Sequence, residues 1–214
     1  MRGARATWVS ASIAVVLFVI IAVSIRMTGY FLFDAQLSSY MSQQVPGDYV
    51  SWFTQLGSGP GAMTVTALLG ILSYALWRDR IASIWYVIMA VSVGVLNQVV
   101  KFAFVRERPS LNELVGGVGY SFPSGHSAMA FAVYAGFLVV AFRHLKTGGK
   151  VLVSVLTIGL FLAMGASRII LNVHYFSDVI GGYCFLRLFY VAPMPSSSHA
   201  EKKEWLDVSV RCRP

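Results

Sequence analysis

Seven side chains in three short stretches have types and spacings suited to chemistry. Lys101, Arg106 and Arg108 lie in KFAFVRERP (101–109), His126 in FPSGH (122–126), and Arg168, His174 and Asp178 in SRIILNVHYFSD (167–178). Each stretch stands at the end of a long apolar segment, where a charge is expensive to keep and by default marks a functional site. One lysine, three arginines, two histidines and an aspartate can hold a phosphate by its oxygens and attack it at phosphorus.

Lys101 precedes Arg108 by seven residues, so both can lie near one face of a helix that persists that far. Pro109 would turn the chain just afterwards. Such cations bind an oxyanion, arginine through a planar fork and lysine as a point charge; the plainer alternative is headgroup contact by snorkelling side chains. Arg106 is expected to be solvated or headgroup-facing, with Glu107 as its local partner. At Pro123-Ser124-Gly125-His126 a span begins. Gly125 lets a ligand approach the backbone, the first amides of the helix lack partners, and such an end binds phosphate. His126 at the mouth can donate a proton, although Ser124 as an ordinary N-cap beside a surface histidine would look the same. His174 and Asp178, four apart, can stack on one helix face, so that the carboxylate orients the imidazole and its other nitrogen serves as nucleophile or base. Arg168 adds a further phosphate donor. Two histidines and an aspartate could also hold a metal, but four surrounding cations would repel a divalent ion. No metal and no cofactor are therefore expected.

The elements that position these residues follow from composition. Of 214 residues, 57% are hydrophobic and 12% charged, and the mean hydropathy is +0.67; a soluble domain carries roughly 25% charged residues. The expected fold is all-α: a polytopic bundle of six transmembrane helices at about 7–26, 60–77, 82–104, 126–143, 151–168 and 174–192, each near the ~20 residues a bilayer core requires. The first reads as a retained span rather than a signal peptide. The last would be about 28 Å long, near the minimum, and it contains Gly181, Gly182, Cys184 and Arg187. Residues 1–192 are expected to form the six-span domain and 193–214 a mobile cytoplasmic tail. Cys184 and Cys212 fit neither a disulfide nor a metal pattern.

With six spans, 11 of the 17 basic residues (Arg2, Arg5, Arg78, Arg80, Arg143, Lys146, Lys150, Lys202, Lys203, Arg211, Arg213) fall on one side, which the positive-inside rule makes cytoplasmic. The net charge of +8 is thereby a matter of topology, and no nucleic-acid partner is expected. Arg187 is expected to snorkel inward. Lys101, Arg106, Arg108 and Arg168 fall on the outer side against the rule, and all three stretches must emerge there together. The outer connection 28–59, with Tyr30, Phe31, Phe33, Tyr49, Trp52 and Phe53, suits a helix lying in the interface, as an anchor rather than a lid.

The order K-x6-R-P (Lys101, Arg108, Pro109), P-S-G-H (Pro123 to His126) and S-R-x5-H-x3-D (Ser167, Arg168, His174, Asp178) resembles the type 2 phosphatidic acid phosphatase superfamily. The resemblance implies a metal-independent lipid phosphatase with a phosphohistidine intermediate. His174 would be the nucleophile, Asp178 its orienting partner and His126 the general acid. Lys101, Arg108, Arg168, Ser124 and the Gly125 amide would hold the phosphoryl oxygens. The implied partners are the bilayer and a membrane lipid phosphate or pyrophosphate: undecaprenyl pyrophosphate, phosphatidylglycerol phosphate, phosphatidic acid or diacylglycerol pyrophosphate. Short loops suggest a bacterial plasma membrane, with the site on its extracytoplasmic face. A lipid phosphotransferase using the same phosphohistidine is the nearest alternative. A non-enzymatic lipid-binding or transport protein would need the cations alone, and the similar vanadium haloperoxidases are soluble. Neither the lipid tail nor the oligomeric state can be read from these residues.

Overall fold

A computed structural model of the chain describes residues 2–109 and 119–187, with the backbone only for 2–7. Every regular element among the described residues is helical: α1 (Arg2–Thr28), α2 (Asp34–Gln44), α3 (Asp48–Thr54) with a 3-10 turn Gln55–Gly57, α4 (Gly59–Trp77), α5 (Arg80–Phe104), α6 (Gly125–Phe142), α7 (Thr147–Ile170) and α8 (Phe176–Arg187). Five of these, namely α1 from Trp8 together with α4, α5, α6 and α7, are long and apolar enough to cross a membrane. The expected sixth span is described only as α8, whose 12 residues rise about 18 Å; 188–192 and the tail 193–214, including Cys212, lie outside the described residues.

α6 is the central helix. It packs against α4, α5, α7 and α8, and 56% of its apolar window is buried inside the protein, against 17–28% for the other four. Small residues make this approach close: Ser127, Ala128, Ala130, Ala132, Gly136 and Ala141 are among its buried positions. α1 packs on α8, where Phe18 stacks near Phe122 and Phe185. The outward faces of the spans carry Val, Ile and Leu exposed to lipid, since every backbone polar group of a spanning helix is satisfied internally and only side chains meet the acyl chains.

Capping sets where the elements begin. The side chains of Ser58, Asp79 and Ser124 accept from the amides of Gly61, Ala82 and Ser127 at the starts of α4, α5 and α6, each satisfying one orphan donor. α5 stops at Val105, a β-branched residue with φ of 49°. That left-handed conformation costs such a residue energy, and it swings the following chain back toward the bundle. The helix therefore does not persist to Arg108; Lys101 and Arg108 converge through this turn rather than through helical periodicity.

The connection 28–59 is more than an anchor. Tyr30, Phe33, Tyr40, Tyr49 and Trp52 are exposed, as suits an interface, but α2 and α3 pack on α7 and turn the buried Asp34, Ser38 and Thr54 inward. At the opposite end of the bundle, Asp79 pairs with Arg143 at 3.5 Å and with His144 at 3.3 Å, and Arg187 donates to Ser10 Oγ at 2.6 Å.

Candidate active site

Six of the eight residues to which the resemblance gives a role line one cavity of about 380 Å³: Lys101, Arg108, Gly125, His126, Arg168 and His174. They come from the last turn of α5 and the turn after it, the first turn of α6, the last turn of α7 and the turn before α8. Ser124 and Asp178 stand behind the wall. Ser124 caps α6, its Oγ accepting from Ser127 Oγ at 3.0 Å, and its amide donates to the Asp178 carbonyl at 2.9 Å, which ties the starts of α6 and α8 together.

His174 is 1% exposed and sits in the turn ahead of α8 rather than on its face. Its Nδ1 lies 3.3 Å from Asp178 Oδ2, while Arg108 Nη1 stands 3.1 Å from Nε2. A guanidinium can only donate, so Nε2 is the acceptor and Nδ1 carries the proton that faces the carboxylate. Burial above all, and then the charges of Arg108, Lys101 and Arg168, hold the imidazole well below its ordinary pKa. In that tautomer the Nε2 lone pair turns toward the arginine and the cavity, and the lowered pKa favours the uncharged ring that a nucleophile needs.

Asp178 is held from every side. Arg106 Nη1 donates to Oδ1 at 2.6 Å, the Tyr175 amide donates to Oδ2 at 2.8 Å, and the Ser121 hydroxyl donates to Oδ2 as well. Arg106 corrects the expectation drawn from sequence. It is 5% exposed, not solvated, and its partners are Asp178 and Asp34, the latter at 2.7 Å, rather than Glu107. Its guanidinium also lies 4.1 Å over the Tyr175 ring. The turn at Val105 sends it inward, where two buried carboxylates need a cation between them. Asp34 further accepts from the Ser177 amide at 2.9 Å, so α2 is bonded to the start of α8.

Four residues of this assembly were not singled out by sequence: Asp34, Thr54, Ser121 and Ser177. Thr54 Oγ1 accepts from Arg168 Nη1 at 2.7 Å. The Asp34–Asp178 partnership spans 144 positions with no local spacing to betray it, and Asp34 is one of two acidic residues, with Asp48, in the outer connection.

Two of the cations, Lys101 and Arg108, engage backbone oxygens. Lys101 Nζ donates to the Tyr120 carbonyl at 2.8 Å. Arg108 donates through Nε to Gly119 O at 2.9 Å and through Nη1 to Val173 O at 2.9 Å. Arg168 is 2% exposed, with a buried Nε that has no partner. Burial lowers the pKa of Arg108, yet a guanidinium keeps its proton in such surroundings. The cavity thus gathers several positive donors around an uncharged imidazole, an arrangement fitted to a tetrahedral oxyanion.

Comparison with known proteins agrees with this geometry. The model of the PAP2 superfamily matches residues 82–195. The chain is 27% identical over 180 residues to phosphatidylglycerophosphatase B of Bacillus subtilis (strain 168), covering 81% of this chain and 88% of that protein. It is 33% identical over 145 residues to the bacitracin transport permease protein BcrC of Bacillus licheniformis, covering 61% and 67%. The crystal structure of a transmembrane PAP2-type phosphatidylglycerolphosphate phosphatase from Bacillus subtilis superposes with a TM-score of 0.76 at 25% identity, over 85% of this chain and 94% of that one. With its three motifs gathered at one cavity of an all-helical, multi-pass membrane bundle, the chain belongs to the PAP2 superfamily of lipid phosphatases.

Proposed function

We propose that this enzyme hydrolyses a lipid phosphate or pyrophosphate on the extracytoplasmic face of the plasma membrane through a phosphohistidine on His174. One observation carries the reading: His174 is pinned by Asp178 at Nδ1 and presents Nε2 among cations at a shared cavity. In the first step Nε2 bonds to phosphorus, the ester P–O bond breaks, and His126 passes a proton to the leaving oxygen. In the second, water attacks phosphorus, the P–N bond breaks, and His126 takes the water's proton. Asp178 stabilises the imidazolium that forms. Lys101, Arg108, Arg168 and the Gly125 amide, at the helix start that Ser124 caps, hold the phosphoryl oxygens, and loss of one such donor is expected to cost about 2.7–4 kcal/mol of barrier. No step is routed through a metal.

The wall of the cavity toward the bilayer is apolar, with Met63, Val91 and Val95 all reaching lipid, which supports a substrate that enters with its chains still in the membrane. The resemblance to a phosphatidylglycerophosphatase supports a glycerophospholipid phosphate, and the likeness to BcrC keeps undecaprenyl pyrophosphate among the candidates. The test is phosphate release by detergent-purified protein from a panel of lipid phosphates and pyrophosphates, run in EDTA with His174→Ala alongside. Release by wild type and none by the variant, together with an acid-labile phosphoenzyme in wild type alone, is the expected result. Activity that depends on added divalent ions, or that survives in His174→Ala, would sink the mechanism.

A further inference from the structure

Asn97 stands on α5 one turn before Lys101, lines the same cavity and is 2% exposed. Neither its Oδ1 nor its Nδ2 has a hydrogen-bond partner. Buried side-chain amides are nearly always paired, so an unpaired one beside a substrate cavity takes its partners from what enters.

Its place decides which part of the substrate it meets. Along α5 it lies about 6 Å nearer the middle of the bundle than Lys101. A Cβ on Gly125 would stand 3.2 Å from Asn97 Oδ1 and 3.8 Å from Lys101 Cε, so the carboxamide sits against the residue that precedes His126. Past it the lining turns to Val91, Gly94, Val95 and Met129. A lipid with its phosphoryl group among the cations and its chain along that apolar wall passes Asn97 with the atoms on the leaving side of phosphorus.

We infer that Asn97 reads the leaving group, donating through Nδ2 to the oxygen side of the ester and accepting through Oδ1 from a hydroxyl on the leaving alcohol. The inference rests on the phosphatase reading above and narrows its substrate class to phosphate esters whose alcohol carries a hydroxyl on the carbon next to the ester carbon, as a glycerol headgroup does. A prenyl pyrophosphate offers only acceptors at that depth, and so does a glycerol acylated at both other positions; either leaves Oδ1 unpaired. A buried site built to bond a hydroxyl rejects the analogue that lacks it far more strongly than an apolar pocket rejects an added one.

The experiment compares two phosphate monoesters of equal chain length, a 2-hydroxyalkyl phosphate and a plain alkyl phosphate, with detergent-purified wild type, Asn97→Leu, Asn97→Ala and His174→Ala. Wild type is expected to favour the hydroxylated ester by about tenfold or more in kcat/KM, and Asn97→Leu to lose that preference, falling several-fold further on the hydroxylated ester than on the plain one, which loses the Nδ2 bond alone. Because Asn97 bonds nothing in the free protein, Asn97→Leu should melt no lower than wild type, which separates lost recognition from lost folding. Equal losses on both esters, an unchanged preference, or no preference in wild type would each overturn the inference. Thermal-shift binding of a 3-hydroxyalkyl phosphonate against a plain alkyl phosphonate repeats the comparison without turnover. If wild type hydrolyses neither ester, the phosphatase reading falls, and a hydroxyl preference in binding that Asn97→Leu abolishes still upholds Asn97, while its absence overturns it.

Discussion

At the scale of single residues, the working part is an imidazole kept neutral by burial and by the cations around it. Because the pKa of His174 in the folded protein lies well below the 6.5 of a free histidine, the acid limb of kcat/KM that reports its protonation is expected well under that value; a limb at 6.5 belonging to His174 would contradict the structure. The same displacement governs stability. The unfolded chain takes up this proton first as the pH falls, so the contribution of His174 is present above 6.5 and is lost as the pH drops toward the folded value. Melting of wild type against His174→Ala in detergent should show their difference shift against wild type between about pH 7.5 and 5. His174 and Asp178 were legible from their spacing because four residues bring side chains together in a helix or in the turn that opens one. Arg106 was misread because its neighbours in sequence, Glu107 among them, say nothing of a left-handed turn at Val105 that buries it.

Elements matter here as holders of side chains from elsewhere. Arg106 joins α2 to α8 through Asp34 and Asp178, so Arg106→Leu leaves two buried carboxylates unpaired and should cost about 3–5 kcal/mol, read as a lowered melting temperature. In Asp34→Asn the fold should survive with kcat down and KM nearly unchanged, since Asp34 itself touches the site through Arg106 and Ser177. Gly165 serves α7 in another way: a Cβ there would stand 2.1 Å from the Tyr183 hydroxyl and 2.6 Å from Val179 Cγ1. Gly165→Ala should therefore prise α7 from α8 at a cost of about 1–3 kcal/mol, measurable by thermal melting. The long spans were readable because an unbroken apolar run has few other uses. α2 and α3 were readable only in part: their exposed aromatics suit the interface helix expected over 28–59, whereas their buried polar side resembles no known signal.

For the whole molecule, the six-span count implied that three distant motifs emerge together, and six motif residues do line one cavity; what the count could not show was the polar scaffold behind it. Orientation is open to direct measurement. In a background lacking Cys184 and Cys212, Glu107→Cys should react with an impermeant maleimide in intact cells and Lys146→Cys only after permeabilisation; the reverse labelling would invert the bundle. The carbonyls of Gly119, Tyr120 and Val173 that now engage Lys101 and Arg108 have a further consequence. On the mechanism proposed above they are a built-in competitor, occupying the donors that an incoming phosphoryl group would claim. Phosphate occupancy and the resting position of residues 119–121 are therefore reciprocally linked, each weakening the other by the same factor. On that mechanism a lipid ester, held also by its chain, would meet that cost better than free inorganic phosphate, and the enzyme's own backbone would help to expel its product.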